Sequence, residues 1–419
     1  MGKLGMEEND KVLCAHYAKM LGLTGNWKVT GVDLSLSEKR LELEVKWAGS
    51  GALCPQCGQN CSRYDVAEER RWRHLDAMGF ETVIRSRVPR ANCAEHGVLQ
   101  MKVPWAGTHG RFTLAFEAFA IKVLLASRSV KAACELLGLS WQAAHQIMER
   151  AVERGLDARV LEGLRIVGMD EKSFLAGQSY ASLLYEVDPQ NSRVLEVMMD
   201  RDGDAAELLW ETLPQEVRTA IDAVCLDMSG IYREVAAQLV PQAKIVHDKF
   251  HVSKHLNEAV DKVRRRENNA LQAEGDDRLK GARQLFLFNP ENLPKDRVAD
   301  FEALKNSDLK AARAWAIKES FRSFWQCRTL KEAQGVFKKW YAWAIRCRLH
   351  EIKKVARMLK SHLDGLLNFV FFPITNAVAE GFNSKIQSLK ADARGFRNFL
   401  NYRIRILFFC GRLNLLPSL

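Results

Sequence analysis

Two short knuckles in the first hundred residues carry metal-binding side chains: 54-CPQC-57 and 93-CAEH-96. Each sets two soft donors two residues apart, so that one turn of chain presents both to the same ion. Two such pairs make the four-donor set Cys54, Cys57, Cys93 and His96 that a tetrahedral Zn2+ takes. Cys61 stands close enough in sequence to replace one of them. A different chemistry is suggested at the other end of the chain, in 374-ITNAVAEGFNSKIQSLK-390. At 100° per residue, Val378, Phe382, Ile386 and Leu389 form an apolar stripe, while Asn376, Glu380, Asn383 and Gln387 share the opposite face. A carboxylate there is either solvated or one arm of a metal cluster completed by upstream acids.

The upstream candidates need a scaffold, and residues 164–248 supply one. LRIVGMD, YASLLYEV and RVLEVMMD read as three successive strands, with a turn at 188-DPQNS-192. A helix capped by Asp204 with Glu207 three residues on, a strand 222-DAVCLDM-228, a helix 230-GIYREVAAQLV-240 and a strand 243-AKIVHD-248 follow. The order strand, strand, strand, helix, strand, helix, strand is the ribonuclease H-like layout, an α/β fold with a mixed sheet. In it the first and fourth strands are neighbours, so Asp170 and Asp227 meet at one sheet edge.

Two carboxylates held close in water-poor surroundings repel unless cations lie between them. Mg2+ (or Mn2+) suits hard carboxylate oxygens, and two such ions about 3.5–4 Å apart can assist in-line displacement at phosphorus. Glu380 is the candidate third acid. Asp248 in 247-HDKFH-251 competes with it, and His247, His251 and His255 at four-residue spacing read either as a metal comb or as capping and packing residues. Asp188, Asp200, Asp202 and Asp204 read as turn and cap residues, and Glu171 points to the opposite sheet face from Asp170.

The remaining elements frame these groups. Residues 10–21 read as a helix, and 27-WKVTGVDLSL-36 with 40-RLELEVKWAG-49 as a hairpin whose second strand alternates Leu41, Leu43, Val45 and Trp47. Residues 111–128 read as a helix. The run 129-SVKAACELLGLSWQAAHQIMERAVERG-155 has the form of a helix-turn-helix: Ala132, Ala133, Leu136 and Leu137 inward on the first helix, Gly138-Leu139 turning, Ser140 capping, and Ala144, Ile147 and Met148 inward on the second. Outward-facing Trp141, Gln142, His145 and Gln146 are then placed to meet base edges in a major groove. Residues 249–370 are helical in period and rich in tryptophan, with Leu330, Ala333, Phe337, Trp340 and Ala344 in one stripe, and read as an all-helical insertion.

Composition narrows the partners. The 419 residues carry 62 Lys+Arg against 51 Asp+Glu, a formal charge of +11, and the pI near 9.1 favours nucleic acid or an anionic membrane surface. No apolar run of eighteen residues is present, and MGKLGMEEND lacks a signal-peptide core, so no membrane is expected and the location is read as cytoplasmic, at the bacterial nucleoid. In that compartment most of the ten cysteines are expected to be reduced and buried. Residues 381–412 hold seven Lys/Arg against one acid, Asp392; Lys385, Lys390, Arg394 and Arg397 are the nucleic-acid-binding candidates among them.

The motifs CPQC…CAEH, VGMDEKSF, LDMSGIYREV, IVHDKFHV and NAVAEGFNSKIQSLKADARGFRNFLNYRIRILFFC, together with the helix-turn-helix, resemble the ISL-three family of bacterial insertion-sequence transposases over nearly the whole chain. The commoner finger of that family has four cysteines; His96 stands last here. The resemblance implies a DDE nuclease of ribonuclease H-like fold with Asp170, Asp227 and Glu380 as its metal-binding acids. It implies double-stranded DNA as partner, both terminal inverted repeats and target, and a homodimer to pair two ends. The expected organisation is a hairpin and zinc-finger domain over 1–104, a helix-turn-helix domain over 105–158, a catalytic core over 159–248 and 371–419, and the insertion over 249–370. That insertion serves end pairing, grips DNA beside the site, or acts as a stabilising lid. The alternative to an enzyme is a non-catalytic DNA-binding regulator on the same scaffold, and an RNA-directed nuclease is a further one.

Overall fold

Alternation of apolar and polar residues along Arg40–Trp47 buries Leu41, Leu43 and Val45 while their neighbours stay at least partly exposed, which is what one buried sheet face demands. The computed structural model describes residues 2–418 apart from 128, 176–178, 189, 229 and 375–376, and does not extend to the side chains of 2–9, 377 and 379. Asn376 of the polar helix face named above therefore lies outside the described residues. The chain divides into two compact units, residues 1–159 with 413–419, and residues 160–412.

In the first unit, helix α1 (Gly2–Met20) precedes a six-stranded sheet of β1 (Trp27–Ser35), β2 (Arg40–Trp47), β3 (Ala52–Leu53), β4 (Asn60–Arg73), β5 (Glu81–Cys93) and β6 (Gly97–Gln100). The strand order is β1-β2-β5-β4-β3, with β6 paired to β5. The expected hairpin forms with Trp27 opposite Trp47, and Trp27, Trp72 and Trp105 pack edge to face in the core. Helices α2 (Leu114–Ala126), α3 (Val130–Leu137) and α4 (Trp141–Asp157) follow. Ser129 Oγ accepts from Ala132 N and Ser140 Oγ from Ala143 N, so each hydroxyl satisfies an otherwise orphaned first-turn amide. Between the two helices Gly138 sits at φ +62°, a left-handed conformation that costs a glycine little. Leu136 departs from expectation: it is 77% exposed, and Cys134 takes the inward position beside Ala133 and Leu137.

The second unit is built on β7 (Ile166–Ser173), β8 (Tyr180–Glu186), β9 (Arg193–Met199), α5 (Gly203–Glu211), α6 (Gln215–Thr219), β10 (Ala223–Leu226), α7 (Gly230–Leu239) and β11 (Lys244–His247). The sheet order is β11-β10-β7-β8-β9; β7, β8 and β9 are antiparallel neighbours, while β10 runs parallel to both β7 and β11. The cap of α5 is Asp202 rather than Asp204, because Asp202 Oδ1 accepts from Ala205 N at 2.9 Å and helical geometry already begins at Gly203. One sheet face packs Val167, Met169, Val224 and Leu226 against Leu209, Trp210 and Tyr232 of α5 and α7. By the period of two, Gly168, Asp170, Cys225 and Asp227 belong to the other face.

After β11 the described chain is helical: α8 (Lys249–Ala273), α9 (Arg283–Leu287), α10 (Val298–Lys305), α11 (Lys310–Ser320), α12 (Leu330–Arg346), α13 (His350–Ser361) and α14 (Leu363–Leu367). The stripe Ala333, Phe337, Trp340 and Ala344 is buried in a core shared by these helices, whereas Leu330 at its start is 37% exposed. Trp340 Nε1 donates to Ile317 O at 2.9 Å, and a Thr329–Glu332 capping box starts α12. Helices α15 (Ala377–Asp392) and α16 (Phe399–Cys410) complete the unit.

Candidate metal centres and nucleic-acid interface

The tip of β5 and its turn into β6 bring Cys93 and His96 to the loop that holds Cys54 and Cys57. Their four ligand atoms all lie within 4.8 Å of one another. Cys57 Sγ is 3.8 Å from Cys93 Sγ, and His96 Nδ1 is 3.5 Å from Cys93 Sγ and 3.7 Å from Cys54 Sγ. A tetrahedron with metal bonds of about 2.3 Å to sulfur and about 2.1 Å to nitrogen has edges of about 3.8 Å and about 3.6 Å. The donor set therefore fits one zinc-sized ion, with His96 as the fourth donor. Amides of the knuckles favour the Cys54 and Cys93 thiolates: their pKa values are lowered first by backbone hydrogen bonds, from Cys57 to Cys54 and from Glu95 to Cys93. Cys61 instead sits at the start of β4, with its Sγ 3.5 Å from Gln59 O.

The acids of the second unit are arranged by strand register. On β7 and β10 the paired residues end at Gly168 and Cys225, and two residues further along the same register come Asp170 and Asp227. On β10 and β11 the last pair is Leu226 with His247, which puts Asp227 beside Asp248. Three acids thus stand on one face of three adjacent parallel strands spaced about 4.8 Å apart, Asp227 and Asp248 just past the ends of β10 and β11 and Asp170 three residues before the end of β7. Tyr185, opposite Gly168 on β8, is buried among them. Burial holds its phenol well above the ordinary value, and the negative potentials of Cys225, Asp170, Asp248 and Asp227 add to the shift.

Helix α15 lies over this edge. Asn383 Nδ2 donates to Asp170 Oδ2 at 2.8 Å, Lys390 Nζ donates to Ser173 O at 3.0 Å, and Phe382 packs edge-on to Tyr185 with ring centroids 5.9 Å apart. Glu380 is exposed, and it is one turn before Asn383 on the same helix face. Among the described residues the only group of three or more ligand atoms mutually within 4.8 Å is the Cys3His one. The acids of the second unit are accordingly spaced more widely than donors closed around a single ion. Asp248 also caps α8, with Oδ1 accepting from Phe250 N at 3.0 Å and Oδ2 2.9 Å from His251 Nδ1. That contact raises the His251 pKa, and the charges of Asp248, Asp170 and Asp227 add to it. The three histidines form no comb, since His247 ends β11 and only His251 and His255 are helical. Glu171 points away as expected, 3.5 Å from Arg201.

Sequence reasoning missed two contributors. Asn383 was legible, being on the Glu380 face one turn on. Tyr185 was not, because its place under α15 depends on Gly168 across the ladder.

On α4, Trp141 and Gln142 are exposed, His145 and Gln146 half-buried, and Ala144, Ile147 and Met148 buried. The indole of Trp141 stacks on the His145 ring at 5.2 Å with an 8° tilt. Among the C-terminal cations, Lys385 Nζ donates to Phe409 O at 2.5 Å and Lys390 is committed to Ser173 O, while Arg394 and Arg397 are exposed. Arg403 and Arg405 on α16 are structural: Arg403 makes a two-pronged contact with the buried Glu196 at 2.6 and 2.7 Å, and Arg405 is buried.

These parts are the ones a DNA-acting transposase of the DDE class requires, and the comparison with known proteins puts the chain in that class. Residues 167–406 match the transposase model of the ISL3 DDE group, residues 101–152 match the helix-turn-helix domain of transposase family ISL3, and residues 50–96 match the zinc-finger of transposase IS204/IS1001/IS1096/IS1165. The chain belongs to the ISL3 transposase family. It is 29% identical over 409 residues to the transposase for insertion sequence element IS1557 of Mycobacterium tuberculosis, covering 88% of this chain and 91% of that one. It is 26% identical over 400 residues to the transposase for insertion sequence element IS1001 of Bordetella parapertussis, covering 93% and 98%. No helix among the described residues is long and apolar enough to cross a membrane.

Proposed function

We propose that the chain binds the terminal inverted repeats of its own insertion sequence and performs metal-dependent strand cleavage and strand transfer, with Asp170, Asp227 and Glu380 as the catalytic acids. The observation that carries this reading is the Asn383–Asp170 hydrogen bond, which ties the helix bearing Glu380 to β7 at the residue that the β7–β10 register, extended by two, sets level with Asp227. The sheet order β11-β10-β7-β8-β9 with its intervening helices supports a ribonuclease H-like core. The boundaries we assign are 1–104, 105–158, 159–248 with 371–419, and 249–370.

Hard carboxylate oxygens on one edge are suited to Mg2+ or Mn2+, and a divalent pair there would supply Lewis-acid activation of the attacking oxygen and charge neutralisation at the leaving one. The chain's own part is positional. Asp170 is held by Asn383 and by its own strand, Asp227 by β10, and Glu380 by α15. The Cys3His knuckle would hold Zn2+ and stiffen the first unit. Exposed Trp141 and Gln142, with His145 and Gln146 beside them, would read base edges while surface cations contact phosphate. Pairing two element ends calls for two copies of the chain, and a homodimer at the nucleoid follows from that requirement.

Nicking of a duplex carrying the element ends, with Mg2+ or Mn2+, tests the reading. Asp170→Asn and Glu380→Gln should each abolish strand cleavage and leave duplex binding intact. Undiminished cleavage by both variants would overturn the assignment. A regulator without catalysis is not favoured, because the transposase match spans the acids themselves. An RNA–DNA hybrid substrate offered in parallel separates the remaining alternative.

A further inference from the structure

Helix α8 starts at the acidic edge and leaves it as a straight ribbon of positive charge. Phe250, Lys254 and Lys262, with Arg265, recur at helical spacing and line one side of a groove of about 770 Å³, and Arg283 faces them from α9. Lys254 and Lys262 are exposed, Arg265 and Arg283 keep 61% and 60% of their side-chain surface, and Phe250 keeps 50%. Buried Asp261 sits beneath this face and is taken up first by Arg264, at 2.8 and 3.0 Å, with Arg265 and Arg283 at 3.3 and 3.6 Å. Its charge is thus offset from inside the helix bundle, and it orients the two exposed guanidiniums. The groove lining carries four cations against Glu258 and Asp261, a surplus of two positive charges, and Lys254 and Lys262 are the exposed ammoniums among them.

The near end of this ribbon joins the catalytic edge. Asp248, beside Asp227 in the β10–β11 register, caps α8, and Phe250 and Lys254 follow within its first two turns. From Phe250 to Arg265 the helix advances about 22 Å at 1.5 Å per residue, the rise of about six or seven base pairs. An acidic protein segment would meet the same charge. It would not, however, account for a track that begins where a phosphodiester is to be broken, with an exposed aromatic ring at its head to lie against a base or sugar.

Resting on the reading of the acidic edge given above, we propose that the Phe250–Arg265 face of α8, with Arg283 opposite, is a phosphate-binding track for the DNA leading away from the cleaved bond. Its contacts are sequence-independent, so they add affinity and salt dependence without changing which ends are chosen.

The test uses the full chain and a labelled duplex of about 30 base pairs of arbitrary sequence, with affinity measured by anisotropy from about 50 to 200 mM salt. Combined Lys254→Gln, Lys262→Gln, Arg265→Gln and Arg283→Gln should reduce the slope of log K against log salt by about 3–4, near 0.9 per lost phosphate contact. Lys254→Gln with Lys262→Gln alone touches only exposed side chains, should melt as the wild type does, and should reduce the slope by about 2. An unchanged slope in a folded double variant overturns the proposal. So does labelled poly-glutamate that binds the wild type and not the double variant while both keep the same DNA slope. Metal-dependent nicking by wild type and by Asp170→Asn, scored in parallel, reports on the acidic edge alone, so failure of the track and failure of the catalytic reading give different patterns.

Discussion

Gly168 lies under the ring of Tyr185, and the closeness of that approach makes it a lever on the whole acidic edge. A methyl carbon added there would stand 2.3 Å from Tyr185 Cζ and 2.5 Å from its phenol oxygen. Ordinary carbon contacts are about 3.5–4.0 Å, so the ring must withdraw by more than about 1 Å. Tyr185 is buried, and Phe382 of α15 packs on it at 5.9 Å. The helix is therefore pushed, the 2.8 Å Asn383–Asp170 hydrogen bond is stretched, and Glu380 moves with the same turn. Overpacking of this kind costs about 1–3 kcal/mol, which lowers the melting midpoint by about 2–10 °C in a unit of this size. Displacing a catalytic group by about 1 Å costs about 100-fold in rate. Single-turnover nicking of an element-end duplex by Gly168→Ala should thus fall by about 100-fold while duplex affinity is retained. Adding Tyr185→Leu makes room for the methyl group and should recover much of the loss. A Gly168→Ala protein that melts lower yet nicks at the wild-type rate would refute the claim that α15 is positioned through Tyr185.

Three further outcomes follow from single contacts. Native mass spectrometry should find one zinc ion per chain, lost in Cys57→Ser and in Cys93→Ser and kept in Cys61→Ser; full zinc content in the first two would refute the Cys3His assignment. Arg403→Met strands the carboxylate of Glu196, which is 4% exposed, and should cost about 3–5 kcal/mol in urea unfolding. Glu196→Leu combined with Arg403→Met should recover most of that, and a loss below about 1 kcal/mol for the single variant would show the pair to be incidental. His247, 2% exposed, is held neutral by burial, and its pKa is lowered to about 4 against about 6.5 for an open imidazole. Between those values the unfolded chain binds more protons than the folded one, so stability rises with pH there. The contribution is complete above about pH 6.5, and up to about 3 kcal/mol is lost as pH falls to about 4. His247→Gln should flatten that part of the stability profile, and an unchanged slope would place the dependence elsewhere.

The strands, the helix-turn-helix and the zinc knuckle were legible in the sequence because each is local. Alternation at Leu41, Leu43 and Val45, Ser caps at 129 and 140, and paired donors at two-residue spacing all act within a few residues of chain. What stayed hidden depended on neighbours remote in sequence. Leu136 fits an inward helical pattern, but Cys134 fills that position. Arg403 and Arg405 look like cations for a polyanion, and only the placement of α16 against Glu196 on β9 makes Arg403 a structural anchor. Asp248 competes with Glu380 in the sequence, and only the fold shows that it stands beside Asp227 while its two oxygens also meet Phe250 N and His251. Asp202 displaced Asp204 as a cap because one residue of register decides which carboxylate reaches an open amide.

The hardest step for the chain is to bring α15 back to Asp170 after the long helical insertion, and the packing indicates how this is done. Asn368 Nδ2, just past α14, donates to Ile245 O on β11 at 2.8 Å, and Phe369 and Ile374 pack with Ala223, Cys225 and Val246 on the sheet face that carries the acids. The insertion is therefore clamped to the edge strand before α15 begins. Phe382 on Tyr185, Asn383 on Asp170 and Lys390 on Ser173 O then fix α15 at three successive points along its length. Trp325, within the insertion, packs against Phe369 at 4.8 Å, so the insertion core and the acidic edge share one apolar seam. A deletion of residues 249–370 would take Asn368 and Phe369 with it and uncover Ile374, Cys225 and Val246, so the insertion is part of what seats the chain on the sheet before α15, whatever else it binds.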